Sequence, residues 1–375
     1  MESSTSDVST AKPIVLPPDG PTDDVPARPR RRRRIWWMLP LGLVVLTLAG
    51  SLLVTLPYYA IAPGSALEVT KLVTVPKDLN YPPQGRVLLS TVSLQRVRPL
   101  EAFRGWLDPD TDVVPEEQIL GPTPPKNFRQ QNVQEMDDSI LVAEVVALRK
   151  LGYSVTERGA GALVSSIAAK SPADGRLKLG DVVTSVDGKP VKLAIDLINA
   201  LATRKFGDTV KLTVTTGDQP ARVEAIKLGG ANEDKSVCAT DQAQTGKGCL
   251  GVALGTKSHE FDRPVKVDVD ARGIGGPSAG LAFTLGIIDQ LRPGELTGGH
   301  RVAVTGTIDL TGKVGDVGGV VQKTAAVRAE HAEYFLVPPG EFKAASAHAG
   351  PKMKVIQVAT LDEALQALAK VGGTI

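Results

Sequence analysis

Residues 302–329 read VAVTGTIDLTGKVGDVGGVVQKTAAVRA. The first third has the alternating, β-branched character of a strand, two glycine-bearing turns follow, and the run from Val320 has helical character. Lys323 lies on that predicted helix, behind Gly318-Gly319, with Val320, Val321, Ala325 and Ala326 around it. A lysine on a helix is ordinarily a solvated charge. One enclosed by apolar side chains has its ammonium form disfavoured, so its pKa falls and it can serve as a base. Around this stretch the chain alternates strands and helices. Strands are expected at 250–255, 264–270, 302–310, 334–338 and 354–359, and helices from Ser278 to about Leu291, from Val320 to His331 and from Leu361. That alternation is an α/β pattern with its own core.

Upstream, residues 273–280 read GIGGPSAG. Glycines allow backbone to approach a substrate closely, and Ser278 opens the apolar helix AGLAFTLGIIDQL. A serine at a helix N-terminus serves as a cap. The same position also offers free N–H groups and the positive end of the helix dipole, which suit a developing oxyanion. Pro277 has no N–H to contribute. On Ser278 alone, both readings stand.

Taken together, GPSAG followed by TGTIDLTGKVGDVGGVVQK resembles the proteolytic domain of Lon proteases, in the membrane-anchored bacterial family that joins a PDZ domain to a Lon domain. The resemblance covers about 250–375. It implies an α/β (α+β) Lon-type domain preceded by a mostly β PDZ-like domain and one N-terminal transmembrane helix. It also implies a Ser–Lys dyad, with Ser278 as nucleophile, Lys323 as general base and Thr305 orienting the lysine. Gly276 opens GPSAG, behind a glycine, Gly275, where an acidic residue is usual, and Gly280 closes the motif. A homo-oligomer, a hexamer by resemblance, is implied as well. No G-x-x-x-x-G-K-[ST] occurs, so no ATP is expected to drive the reaction.

Residues 161–215 resemble a PDZ domain of the bacterial, protease-associated kind, through GALVSSI (161–167), KSPADGRLKLGDVVTSVDGKPV (170–191), AIDLINALAT (194–203) and KLTVTT (211–216). Asp187-Gly188 is a hairpin signal. The resemblance implies peptide binding by strand addition, with Arg158 to Ala162 as the expected carboxylate-binding loop.

Ile35 to Leu56 contains no charged residue. A helix of this length spans about 33 Å, enough for a hydrocarbon core of about 30 Å. Trp36, Trp37, Tyr58 and Tyr59 flank it as interfacial aromatics, and Arg28 and Arg30 to Arg34 precede it. The expectation is a single-pass anchor in the cytoplasmic membrane, with the N-terminus cytoplasmic and the remainder outside. Ala60-Ile61-Ala62 resembles a signal-peptidase site, but Pro63 and the long apolar run favour an uncleaved anchor. The expected organisation is a disordered tail at 1–34, the span at 35–56, a β-rich and Pro-rich connecting region at 57–130, and a PDZ-like domain with a preceding helix at 131–228. A linker at 229–249 and the Lon-type domain at 250–375 follow.

Lys plus Arg is 43 against 41 Asp plus Glu, a balance that gives no reason to expect nucleic acid as a partner. Cys238 and Cys249 are the two cysteines, with no histidine near either, so neither metal nor other cofactor is expected. Their spacing would close a small disulfide loop in an oxidising compartment; elsewhere they would be free thiols. The expected activity is ATP-independent cleavage of exported or membrane-associated proteins. Two alternatives remain: a non-catalytic PDZ scaffold at the cell surface, and an esterase in which GPSAG is a G-x-S-x-G elbow served by His331 or His348.

Overall fold

The computed structural model describes residue 50 and residues 54–121, 124–229, 247–271 and 273–374. In chain order, the first group of elements is β1 (Tyr58–Glu68), β2 (Arg86–Arg96), α1 (Pro99–Leu107), β3 (Asp112–Pro115), α2 (Glu116–Leu120) and α3 (Pro125–Lys150). The second is β4 (Ala162–Ile167), β5 (Asp181–Val186), α4 (Ala194–Ala202), β6 (Thr209–Thr216), β7 (Arg222–Lys227) and β8 (Val252–Thr256). The last is α5 (Gly280–Leu291), β9 (Arg301–Val304), α6 (Val320–Ala329), β10 (Tyr334–Val337), α7 (Phe342–His348), β11 (Lys354–Gln357) and α8 (Leu361–Lys370).

The first and last groups share one six-stranded sheet, ordered β11-β10-β9-β2-β1-β3. Strands β11, β10, β9 and β2 run parallel, and β1 is antiparallel to both β2 and β3. The 57–130 region, expected as a connection, thus supplies half of the sheet. The reason lies in β2: Val87 and Leu89 enter the core beneath α5, and Leu88 enters a second core on the opposite face. A strand buried on both faces belongs at the centre of a sheet.

Helix α3, the helix expected ahead of the PDZ-like domain, spans Pro125–Lys150, with Pro125 in its first turn. It packs on α5 through Met136, Ala143, Val146 and Ala147, beside Leu281 and Leu285. The second group is therefore an insertion between two parts of one α/β unit. Its sheet, β7-β6-β5-β4-β8, is antiparallel throughout and encloses a separate core around Val183, Leu197 and Leu212.

Some expected strands fall differently. Residues 250–255, expected to open the C-terminal domain, contribute to β8, which pairs with β4 in the inserted sheet. Within 264–270 only Asp268–Val269 is strand, paired with Val73–Thr74. The strand expected at 302–310 breaks after Val304, because Gly306 adopts φ +147° and turns the chain toward a small hairpin, Thr307–Ile308 with Val314–Gly315.

Strand β1 begins at Tyr58, at the start of the region expected to be β-rich. Among the described residues no helix is long and apolar enough to cross a membrane. The span expected at 35–56 lies outside the described residues except for Gly50 and 54–56, and the expected tail at 1–34 lies wholly outside them. Cys249 is disulfide-bonded; Cys238 lies outside the described residues.

Candidate active site

The turn carrying Ser278 is held by other elements. Gly276, at φ +87°, donates its N–H to the Asn132 carbonyl of α3 at 2.8 Å. Ser139 Oγ, about two turns further along α3, donates to the Pro277 carbonyl at 3.0 Å. The Ser278 carbonyl accepts from Gly306 N–H at 3.1 Å. Pro277–Ala279 form a single 3₁₀ turn running into α5. The Ser278 and Ala279 amides therefore precede the first intrahelical bond, where N–H groups lack helical partners. A side chain at Gly280 would come within 3.0 Å of both Ile308 Cγ2 and Ser139 Oγ, so the helix start lies close against its neighbours.

Lys323 comes from the other side. Gly319, left-handed at φ +67° and ψ 35°, starts α6, and a Cβ there would meet Val92 Cγ1 of β2 at 2.8 Å. One turn later Lys323 is 2% exposed, and its Nζ donates to Thr305 Oγ1 at 3.2 Å. Thr305 is itself fully buried, fixed by its N–H to the Leu336 carbonyl at 3.1 Å. Burial lowers the Lys323 pKa to about 8, opposed by the nearby Glu341 carboxylate. Glu341 is itself pushed up, first by burial and then by Asp316.

Ser278 and Lys323 line one open cavity of about 550 Å³, together with Ile61 of β1, Ser90 and Val92 of β2, and Phe128 of α3. No hydrogen bond joins the two side chains directly. His331 is exposed at the end of α6, and His348 directs Nδ1 at the Ala344 carbonyl; neither lines the cavity. The histidine that an esterase elbow requires is thus not brought to Ser278. Among the described residues no group of His, Cys, Asp or Glu is arranged to hold a metal ion.

The expected residues Ser278, Lys323, Thr305, Gly276 and Gly280 converge on one place. Asn132, Ser139 and Glu341 were not anticipated. Asn132 lies in the polar early turns of α3 and Ser139 just past its middle, and nothing in local sequence links either to GPSAG.

A second cavity, of about 440 Å³, lies between β8 and α4, lined by Leu250, Val252 and Leu254 on one wall and Ile198, Leu201 and Ala202 on the other. Strand β8 is at the end of its sheet, so among the described residues one edge of its backbone has no strand partner. The loop expected at Arg158 to Ala162 is engaged otherwise: Arg158 pairs with Asp262, and Ala162 sits between β5 and β8.

Residues 252–370 match the Lon protease (S16) C-terminal proteolytic domain. The chain carries a Lon-type proteolytic domain. Residues 150–226 match a PDZ domain, so a serine-type peptidase domain and a PDZ domain share one chain. Among curated proteins, it is 27% identical over 192 residues to the Lon protease of Finegoldia magna, covering 48% of this chain and 24% of that one. It is 25% identical over 270 residues to the Lon protease of Rickettsia prowazekii, covering 64% and 33%. A probable periplasmic serine endoprotease DegP-like of Ectopseudomonas mendocina is 28% identical over 148 residues, covering 37% and 29%. The chain thus spans about a third or less of the length of these relatives. The Lon-type match begins inside β8, after the PDZ match has ended. The sheet around Ser278 and Lys323 nonetheless needs β1, β2 and β3, from before the PDZ domain.

Proposed function

We propose that this protein is a membrane-tethered, ATP-independent serine endopeptidase that works through a Ser278–Lys323 dyad on exported or membrane-associated proteins. The observation that carries the reading is Lys323: a buried lysine with no carboxylate partner among the described residues, lowered to about pKa 8, in the same cavity as a serine at a helix N-terminus. A base with that pKa suits proton transfer near neutral pH.

In the proposed reaction neutral Lys323 takes the proton from Ser278 Oγ as that oxygen attacks a peptide carbonyl carbon. The carbonyl oxygen becomes an oxyanion facing the free N–H groups of the Ser278 turn. Collapse breaks the C–N bond, and the Lys323 ammonium returns its proton to the leaving amine. Water then attacks the ester with the same base, releasing the acid and restoring Ser278. The scissile segment lies extended beside β2. Its partner β9 ends opposite Leu89, while Ser90, Thr91, Val92 and Leu94 continue along the cavity wall. Strand addition there is a known mode of holding a peptide.

The PDZ domain binds substrate chains in the groove between β8 and α4, where apolar side chains face a free strand edge. The tether remains uncut in this reading. Ala60, Ile61 and Ala62 are paired with β2 and, for Ala60 and Ile61, with β3 as well, and Ile61 is part of the cavity wall. Cleavage after Ala62 would remove a wall of the site. Assembly into a ring, a hexamer by resemblance, belongs to the same proposal.

The test compares cleavage products in the cell envelope and medium for the wild type, Ser278→Ala and Lys323→Ala. Both variants should lose the same products, and His331→Ala and His348→Ala should lose none. Unchanged products in both dyad variants would overturn the reading. A serine-reactive probe that labels the wild type but not Ser278→Ala separates an enzyme from a PDZ scaffold.

A further inference from the structure

Helix α1, PLEAFRGWL, is turned inside out relative to an ordinary surface helix. Its buried residues are the small ones, Ala102 and Gly105. A Cβ at Gly105 would meet Val113 Cγ2 of β3 at 2.6 Å, so only glycine lets the helix lie this close to the strand. Its large apolar residues point outward instead: Leu100 is 37% exposed, Phe103 56%, Trp106 65% and Leu107 70%. Their spacing of three and four places them on one face. Isolated exposed apolar residues are normal, but a continuous stripe on a nine-residue helix marks a surface that something covers.

The path of the chain identifies the cover. The uncharged run 35–56 ends beside α1: Leu56 N–H bonds to the Val97 carbonyl at 2.9 Å, and Val97 N–H bonds to the Tyr58 carbonyl at 3.1 Å. Val97 immediately precedes Arg98, the residue that starts α1. Val54, on the same approach, is 56% exposed. Arg98, which caps the helix, and Arg104 on it are exposed beside the stripe, with Glu101 the one acidic residue of the helix, and aromatic, aliphatic and basic groups side by side suit an interfacial helix on an anionic bilayer.

We propose that α1 docks on the membrane surface, with Phe103, Trp106 and Leu107 at the headgroup–acyl boundary of the bilayer that the 35–56 run spans. This rests on the tethered reading given above. Docking would fix the catalytic cavity at a set height and tilt. Helix α2, next along the chain after β3, supplies Gln118 and Ile119 to that cavity. The substrates favoured are then chains held close to the membrane surface.

The experiment uses the full chain reconstituted into vesicles of phosphatidylcholine and phosphatidylglycerol. The chain has three tryptophans, so Trp36→Phe with Trp37→Phe leaves Trp106 as the sole emitter. The expected result is a blue-shifted emission in vesicles, quenched by lipids brominated near the headgroup more than by lipids brominated at the chain ends. A parallel alkaline carbonate wash reports on the tether. Retention after the wash with an unshifted, unquenched Trp106 would overturn docking and leave the tether intact. Release by the wash with Trp106 still quenched before it would support docking and defeat the tether; release without quenching would defeat both. A blue shift in detergent that grows with protein concentration, without quenching in vesicles, would make this face a contact between copies and overturn the proposal.

Discussion

Lys323 Nζ donates to Thr305 Oγ1 at 3.2 Å inside a region from which both side chains are almost wholly excluded from water. Thr305 follows the last residue of β9, and Lys323 sits one turn into α6, so sheet and helix set their separation. The bond aims the lysine toward the cavity without supplying a charge, so the ammonium form gains little and burial governs the pKa.

The first prediction concerns that bond. Thr305→Val keeps the volume and removes the acceptor, leaving Nζ free to swing away from its aim. A hydrogen bond between neutral groups is worth about 0.5–1.5 kcal/mol, so kcat should fall by about 2- to 10-fold with KM little changed. Thr305→Ser should retain most activity. Equal kcat in Thr305→Val and wild type, on one peptide substrate, would show that the threonine does not orient the base.

The second is a pH dependence. In the proposed dyad Lys323 acts when neutral, so kcat/KM should rise with pH along a limb with an apparent pKa of about 8. Glu341 stabilises the ammonium form, hence Glu341→Gln should move that limb to lower pH. A limb unmoved in Glu341→Gln, or moved upward, would contradict the assignment. Stability gives an independent readout. The folded pKa lies below the unfolded value of about 10.4, so the native state binds fewer protons across pH 8 to 10 and gains stability as pH rises through that window. Lys323→Met should accordingly be inactive yet more stable at pH 7, by up to about 3 kcal/mol.

The neighbouring glycines give a third. Gly319→Ala forces a side chain into a left-handed conformation, costing about 1–2 kcal/mol, and also drives its Cβ against Val92. Gly318→Ala meets no atom within 4 Å. Thermal denaturation should show a clear fall in Tm for the first and almost none for the second. Since Val92 lines the cavity, Gly319→Ala should reduce kcat too.

Much of the candidate site was legible in sequence because its residues fall in two short, ordered motifs. Ser278 and Lys323 lie at helix starts that their glycines announce, and Thr305 falls where β9 ends. What could not be read was the company those motifs keep. Neither YYAIAPGSALE (58–68) nor RVLLSTVSLQR (86–96) carries a local pattern that names its sheet partners. Only the parallel pairing of Arg301–Val304 with Arg86–Leu89 shows that they belong to the same sheet as residues from the C-terminal third. Strand β8 was misplaced for a similar reason. Val252 and Leu254 would suit either sheet, and pairing with Ile167 and Val164 decides it. Asn132 and Ser139 act through backbone carbonyl and hydroxyl contacts to a turn more than a hundred residues away, which leave no local pattern.

The last prediction concerns Asp289, near the far end of the helix that Ser278 introduces. Its side chain is 2% exposed; Oδ1 accepts the Leu296 N–H at 3.1 Å, and Oδ2 is buried without a partner. Burial pushes its pKa up to about 7, with a smaller contribution from the Glu295 carboxylate. The folded value therefore exceeds the unfolded value of about 3.9, and the native state holds more protons than the unfolded state between those two pH values. Stability associated with the neutral acid is fully present below about pH 4 and is lost as pH rises through about 7. Asp289→Asn preserves the shape and the acceptor for Leu296 but cannot ionise. It should match wild-type stability below about pH 4, exceed it increasingly as pH rises, and level off above about pH 7 at an advantage on the order of a few kcal/mol. Urea denaturation of the two proteins at pH 5 and pH 8 distinguishes this. A difference that does not change between the two pH values would mean that Asp289 is already neutralised by a partner, and that the end of α5 carries no buried charge.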